Sequence, residues 1–496
     1  MSTADQRPHG KAGPRSVGSI VGLMIALLAA IFAFQLNASM LSPVLVTMEH
    51  DLGSTAAQIG LTQTAFFAAA ALFSLFLPRW GDLVGRRRIM LGMLAVTAVG
   101  CAISALAPNI AVLGVGRVVQ GVSGPIVPMA LIMLHVQVPD RRRYASLMAV
   151  LTAVNGGIAG VDALLGGWLA GTFGFRAVFW TMALVALIAF AGVWWACVES
   201  RSARTVPMDW KGVIALVVVL ASLYFAFDQA GRLGEANWGI VGGLVLIGIG
   251  AFWVFWRIEA HREHPLVSTH YMRQRRTWAL LLTTLLTMTG VFAVMNGLIP
   301  NLAQDVKAGP GIGAAGVSWW TLTPYAIAGL VMGPVAGQLA ARLGFRVVLQ
   351  CGLVLTVIGL LAAVLVAGDP LPILLLVLSV VIGVTYAGTC NIMLNGLGIV
   401  LSPADNQGYL PGMNSGAFNL GAGLSYAILF AVQSGAASAL GITAGYRAGT
   451  AAGAVLLLLA LGTSFLIPKP ENVPDAAADS PDTEPTNQTT VVGVKE

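Results

Sequence analysis

The chain has 496 residues, 57% of them hydrophobic and only 10% charged, with a formal net charge of +6. A soluble protein of this size needs a more charged surface, and the basic residues lie scattered over short loops, which excludes a nucleic-acid footprint. A membrane crossing needs about 20 apolar residues, and the chain supplies such runs repeatedly.

The first 16 residues carry Arg7, Lys11 and Arg15. The apolar run that follows is too long for a signal-peptide core, so an uncleaved first span is expected. Hydrophobic runs predict fourteen helices, at 17–42, 57–77, 89–107, 110–134, 145–170, 175–198, 211–230, 237–257, 277–301, 316–341, 347–367, 371–400, 409–434 and 444–467. The expected fold class is an all-α polytopic membrane protein. A cytoplasmic tail over 1–16 leads into a six-helix bundle over 17–198. A segment over 199–276 holds two linker helices and a cytoplasmic loop, and a second six-helix bundle covers 277–467. The tail over 468–496 is rich in Pro, Asp, Thr and Ala and is expected to be disordered.

With the N-terminus inside, the inner tails and loops hold 22 Lys and Arg, while the outer loops hold only Arg176, Arg232, Lys307 and Arg447. Positive charge favours the cytoplasmic side, so an even span count with both termini cytoplasmic is expected. Asn487-Gln488-Thr489 then faces the cytoplasm, and its match to a glycosylation pattern reads as chance. Cys101, Cys197, Cys351 and Cys390 all fall in apolar runs without a C-x-x-C, and read as small buried hydrophobes.

Between helices 2 and 3 stands Gly81-Asp82-Leu83-Val84-Gly85-Arg86-Arg87-Arg88. Glycines on both sides of the acid suit a tight turn where two helix ends approach. On the residues alone this is a charged turn whose arginines set topology. A fainter echo follows helix 10, where Gly344 matches Gly85, Arg346 matches Arg87 and Ala341 stands for Asp82. Each loop follows the second helix of a six-helix block, so two parallel repeats with a site between them are expected. Arg141–Arg143 reads as an orientation anchor.

An ionisable group within a span is costly and marks function by default. Two lie deep: Arg117 in helix 4, within Arg117-Val118-Val119-Gln120-Gly121, and Asp162 in helix 5. At a rise of roughly 1.5 Å per residue, both lie about 10–12 Å from the outer ends of their helices. The helices are consecutive and antiparallel, so a salt bridge between them is geometrically open. One reading makes Asp162 the proton-titrating group and Arg117 its switchable partner. The other makes them a static ion pair that orients two helices.

Asn37, Gln63 and Gln120 join them as candidate cavity lining in the first bundle. The second bundle has no embedded charge and offers Asn296, Tyr325, Tyr386, Asn391 and Asn419, besides Trp319, Trp320, Thr323, Asn395, Asn414 and Tyr426. Aromatic walls with a few amides suit a bulky, largely apolar solute; each of these residues would equally serve as lipid-facing belt or interhelical glue. Glycine pairs four apart, Gly156/Gly160, Gly167/Gly171 and Gly333/Gly337, predict close helix contacts.

The Gly81–Arg88 loop, the R-x-x-Q-G run at Arg117 and the fourteen spans together resemble the fourteen-helix drug:proton antiporter family of the major facilitator superfamily, over residues 17–467. The resemblance implies a major-facilitator-like fold working by alternating access. It implies a cytoplasmic gate made by Gly81, Asp82, Gly85, Arg86, Arg87 and Arg88, with Asp82 meeting a basic group or helix terminus in the outward-open state. It also places Arg117 in proton transfer. Two features depart from the family pattern. Asn37 stands where the family carries an acid, and Asp162-Ala163-Leu164-Leu165-Gly166-Gly167 keeps only the glycine pair of the antiporter signature.

No G-x-x-x-x-G-K-[ST] occurs, so ATP hydrolysis by that route is excluded. Glu259-Ala260-His261-Arg262-Glu263-His264 reads as a charged loop rather than a zinc site. No enzyme activity, cofactor or metal is expected. The expected function is proton-coupled export of hydrophobic or amphipathic compounds, drugs among them, across the cell membrane. The partners would be the solute, protons and the bilayer, and the expected unit is a monomer. The alternatives are a proton-coupled importer of an organic acid or sterol-like nutrient, and a non-transporting membrane scaffold or sensor.

Overall fold

A computed structural model describes residues 17–138, 140, 143–144, 147–148, 150–151, 160–201, 208–231, 236–262, 265–403 and 408–469. The expected N-terminal tail, Arg141, Arg142, Gly156 and the chain from residue 470 lie outside them. Among the described residues there is no strand. In chain order, α1 is Val17–Ser39, continued by a 3-10 turn at Ser42–Val44 and a short helix at Leu45–Asp51. Next come α2 (Ala56–Val84) and α3 (Arg86–Ala105). A 3-10 turn at Gly121–Ser123 divides α4 into Ile110–Gln120 and Ile126–Gln137. The described part of α5 is Val161–Phe173, followed by α6 (Phe175–Ala196), α7 (Trp210–Ala230) and α8 (Trp238–Ala260). A π-turn at Val294–Leu298 divides α9 into Arg275–Ala293 and Ile299–Gln304. Helix α10 runs as Ala314–Trp320 and Leu322–Leu343, and α11 is Phe345–Val366. Another π-turn, Gly383–Cys390, divides α12 into Pro372–Ile382 and Asn391–Val400; α13 is Tyr409–Leu440 and α14 is Ile442–Ser464. Thirteen of the described helices are long and apolar enough to cross a membrane, and Val161–Phe173 supplies part of a fourteenth.

Polar residues at the helix starts set the boundaries. The Thr55 hydroxyl accepts from Gln58 N–H at 3.3 Å while the Gln58 side chain accepts from Thr55 N–H at 3.0 Å, a reciprocal cap. Asn109 and Asn237 cap α4 and α8 by accepting from backbone N–H groups of the first turn, without the return bond.

The two repeats show in the turns. Single glycines join α2 to α3, α5 to α6, α10 to α11 and α13 to α14: Gly85 (φ 130°), Gly174 (φ 78°), Gly344 (φ 86°) and Gly441 (φ 93°). A side chain disfavours positive φ, so glycine lets the chain reverse in one residue. The Gly85–Gly344 match thus has a second pair beside it. The helix breaks repeat as well, falling in α1 and α9 and in α4 and α12. The expected loop at Gly81–Arg88 is corrected here. Helix α2 runs on past Pro78, Gly81 and Asp82 lie in its last turns, and Gly85 alone makes the turn.

Helices α1 to α6 form one bundle, with α1 on α6 and α3 between α4 and α6. Helices α9 to α14 form the other, with α9 and α11 both against α14. The bundles meet where α2 packs on α13 and α5 on α10. Helices α7 and α8 pack on each other, and α7 touches α2. In α2 and α9, 72% of the apolar window is buried, against 11% in α8. The inserted pair therefore lies outside the bundles, with α8 towards lipid.

Opposite the basic face, which carries Arg79 and Arg86–Arg88, the bundles touch backbone to backbone. A Cβ on Gly166 would lie 2.3 Å from the Met40 carbonyl of α1's end, and one on Gly167 would lie 2.3 Å from the Ala314 carbonyl of α10. Ser318 donates to Ala163 O at 2.8 Å and Thr323 to Gly160 O at 3.0 Å, both from α10. The glycine pair after Asp162 is thus the contact surface of α5, and Gly171 extends it against Ala315. The expected Gly333/Gly337 contact is half present: Gly333 backs Ile392, and nothing stands near Gly337.

Candidate functional site

Arg117 is fully buried, and α1, α2 and α4 build its socket. Its Nη1 donates to Gln120 Oε1 at 2.6 Å, and its Nη2 donates to Gln63 Oε1 at 2.8 Å and to the Asn37 carbonyl at 3.2 Å. The guanidinium lies 4.2 Å from the centre of the Phe66 ring, a cation–π contact. Gln120 Nε2 in turn donates to Gly100 O at 3.0 Å and Ser104 Oγ at 2.8 Å on α3. Arg117 Nε and Gln63 Nε2 have no hydrogen-bond partner among the described residues.

The expected salt bridge does not form. Asp162 accepts a short hydrogen bond from the Ser39 hydroxyl instead, and its Oδ1 accepts none among the described residues. Helix α1 stands between the two charges. Asn37 faces Arg117 through its carbonyl and Ser39 faces Asp162, and two residues along a helix are about 200° apart. Gln35, half-buried, donates to Ser39 Oγ at 3.0 Å. Gln35, Ser39 and Asp162 therefore form a line of hydrogen-bonding groups that ends on an orphan carboxylate oxygen.

Asn37 does not open on a chamber: its side chain donates to Ala33 O at 2.8 Å and accepts from Cys101 Sγ at 3.4 Å, against α3. Gln63 and Gln120 are likewise Arg117 partners rather than cavity wall. In the second bundle, Asn296 accepts from Ser42 Oγ at 3.4 Å across the interface, and its carbonyl accepts from Tyr426 at 3.1 Å. Tyr386 is buried and donates to Met288 Sδ at 2.7 Å. Tyr325 and Asn391 are half-buried, and Asn391 accepts from Asn395 at 3.0 Å. Asn419 is buried on α13.

Sequence reasoning missed the aromatic path that joins the bundles. Phe66 lies 4.9 Å from Phe67, Phe67 lies 5.2 Å from Phe292 of α9, and Phe67 stacks at 6.3 Å on Tyr426 of α13. Tyr426 continues to Phe430 at 5.5 Å. The signal was the Phe66-Phe67 pair, which breaks the single apolar stripe of a one-sided helix. Ser39 was also missed, since a serine in a span has no charge to mark it.

The Gly81–Arg88 stretch is fastened within its own bundle. Asp82 pairs with Arg86 at 2.7 Å, one turn on. Glu199, just past α6, accepts from Arg87 N–H at 3.0 Å and stands 3.7 Å from Arg88 Nε. Arg87 caps the Trp194 carbonyl and lies 5.0 Å from that ring. A Cβ on Gly85 would lie 2.6 Å from the Glu199 carboxylate, and one on Gly81 2.8 Å from Met129 of α4. Both glycines are thus needed for close approach, but Asp82 meets Arg86 rather than the other bundle. Glu199 belongs to this cluster and was not read from the sequence.

Two six-helix bundles meeting at a polar interface, with α7 and α8 inserted between them in the chain, define a secondary transporter fold among the described residues. The chain belongs to the Major Facilitator Superfamily, whose family model matches residues 27–426 and again 280–493. Among its relatives is the uridine/deoxyuridine transporter of Lactococcus lactis subsp. cremoris (strain MG1363), 57% identical over 458 residues, 91% of this chain and 95% of that protein. The multidrug resistance protein Stp of Mycobacterium tuberculosis (strain CDC 1551 / Oshkosh) is 24% identical over 386 residues, 77% of this chain and 69% of that protein. The fold is shared with a mutant of the nucleoside transporter NupG, at TM-score 0.60 and 12% identity over 90% of this chain and all of that one. It is also shared with a bacterial homolog of the human lysosomal transporter Spinster, at TM-score 0.64 and 15% identity over 91% of this chain and 98% of that one. The expected drug export is overturned by the first of these relatives, whose similarity is more than twice that of the multidrug protein.

Proposed function

We propose that this protein carries pyrimidine nucleosides, uridine and deoxyuridine first, into the cell in company with protons. The observation that carries the reading is 57% identity to a uridine/deoxyuridine transporter along 91% of the chain. The site chemistry agrees with it. A nucleoside is neutral, with a flat aromatic base and several hydrogen-bonding edges. Aromatic rings of both bundles and uncharged amides such as Asn419 at their interface suit such a solute. Arg117 is fully enclosed among protein acceptors from α1, α2 and α4, so its charge is not presented to the carboxylate of an organic acid.

In this reading Asp162 takes the proton, with Ser39 and Gln35 leading to it and Arg117 holding α1, α2 and α4 in register. The bundles over 17–198 and 277–467 rock about the interface, the segment over 199–276 links them, and the basic face and both termini are cytoplasmic. The Gly81–Arg88 cluster is the cytoplasmic gate, with Asp82 passing between Arg86 and a partner beyond its bundle as the gate moves. The fourteen-helix plan and the R-x-x-Q-G run are the features held in common with drug:proton antiporters. The test is uptake of labelled uridine by cells that lack their own nucleoside carriers. Expression should give saturable uptake that excess deoxyuridine competes away and a protonophore abolishes. Uptake equal to that of empty cells would contradict the reading.

A further inference from the structure

The inserted helix pair, to which nucleoside transport gives no role, carries two buried carboxylates. Asp209 is 3% exposed and caps α7, its Oδ1 accepting from Gly212 N–H at 3.2 Å. Glu259, in the last turn of α8, is 1% exposed, and its Oε2 accepts from Val267 N–H at 2.9 Å. The second oxygen of each, Asp209 Oδ2 and Glu259 Oε1, accepts no hydrogen bond among the described residues. Both orphans approach one point: a Cβ on Gly212 would lie 2.6 Å from Glu259 Oε1 and 3.0 Å from Asp209 Oδ2.

A buried carboxylate oxygen without a donor is costly, and two that face each other as anions cost more. One proton on either atom removes a charge and supplies a donor, so the two oxygens, each within 3.0 Å of that point, can close into an acid–carboxylate hydrogen bond. A metal ion fits less well. Calcium takes about 6–8 oxygens, and no cluster of three metal-ligating side chains occurs among the described residues.

The pair holds a strap between the bundles. Arg79 Nη1, near the end of α2, donates to Pro265 O at 2.9 Å, and Tyr409, opening α13, donates to Ser268 O at 3.2 Å. Glu259 grips the middle of this segment at Val267. Among the described residues, the surrounding charged and titratable groups are Arg79 from α2, Arg262 with Nη2 3.5 Å from Asp209 Oδ1, and Tyr409 with Tyr271, whose rings lie 4.9 Å apart. Trp210 of α7, 5.6 Å from Trp80 and 6.3 Å from Phe76, seats the inserted pair against the same end of α2.

We propose that Asp209 and Glu259 share one proton, forming a proton site separate from Asp162 that fastens the strap 265–268 across the basic face. With the proton present, Glu259 stays seated and Val267 stays held. Without it, the two anions move apart and the strap loosens. Rocking of the bundles must stretch or release the segment between Arg79 and Tyr409, so the loaded site favours the arrangement seen here.

The test needs no substrate, so its outcome is independent of the nucleoside reading. Hydrogen exchange of the full-length protein in nanodiscs is followed over a pH series and corrected for the intrinsic chemical rate. Peptides containing Val267 should exchange roughly tenfold faster above the pH at which the proton leaves, while α13 peptides hold. Asp209→Asn and Glu259→Gln each supply a permanent donor, so the strap should stay protected at every pH. Glu259→Ala removes the grip and should free it at every pH. A wild-type strap without a pH step, or the same step in Asp209→Asn, would overturn the proposal. If Asp209→Asn fails to fold, Glu259→Gln makes the same comparison.

Discussion

Asp162 and Arg117 were both legible, because a charge in an apolar run has few explanations. Their partners were not. Depth along two helices said that the pair was level, but not that α1 stands between them with Asn37 on one side and Ser39 on the other. Asp162→Asn should leave uridine exchange across the membrane intact while abolishing accumulation against a gradient, measured as counterflow beside net uptake. Loss of both activities together would make Asp162 a packing residue instead. Gln120 has a different role: its side chain accepts from Arg117 and donates to α3. Gln120→Leu leaves a buried guanidinium N–H and the buried Ser104 hydroxyl without this partner, each costing about 1–3 kcal/mol. The melting temperature in detergent should fall accordingly, and a stability equal to wild type would show that water replaces the amide.

At the level of helices, the sequence indicated count and order well, since twenty apolar residues are hard to mistake. Turn geometry was less readable. The Gly81–Arg88 stretch is polar enough to read as a loop, yet α2 consumes half of it and leaves Gly85 to reverse the chain at φ 130°. Gly85→Ala would meet both the backbone strain and the Glu199 carboxylate, at a cost of about 1–3 kcal/mol from the strain alone. Removing the carboxylate with Glu199→Ala in the same chain should recover part of the stability lost, but not all. Complete recovery would show that the backbone is unstrained. On the opposite face, Gly167→Val drives a side chain into the Ala314 carbonyl. A cysteine placed at Ser42 should then react faster with an impermeant thiol reagent than in the parent. Unchanged reactivity would mean that α5 and α10 do not form the seal.

For the whole molecule, the repeat and the bundle plan followed from pattern, whereas the solute did not. Amides and aromatic rings at an interface serve a drug, a sterol or a nucleoside alike, and the direction of transport leaves no mark on a static interface. The identity to a uridine/deoxyuridine transporter is what favours a nucleoside in our proposal. The most direct measurement is labelled uridine in vesicles holding only this protein, with an imposed pH difference. Acid outside should drive uridine to a concentration inside above that outside, and collapsing the gradient should release it. Uridine entering no faster than into protein-free vesicles would contradict the account.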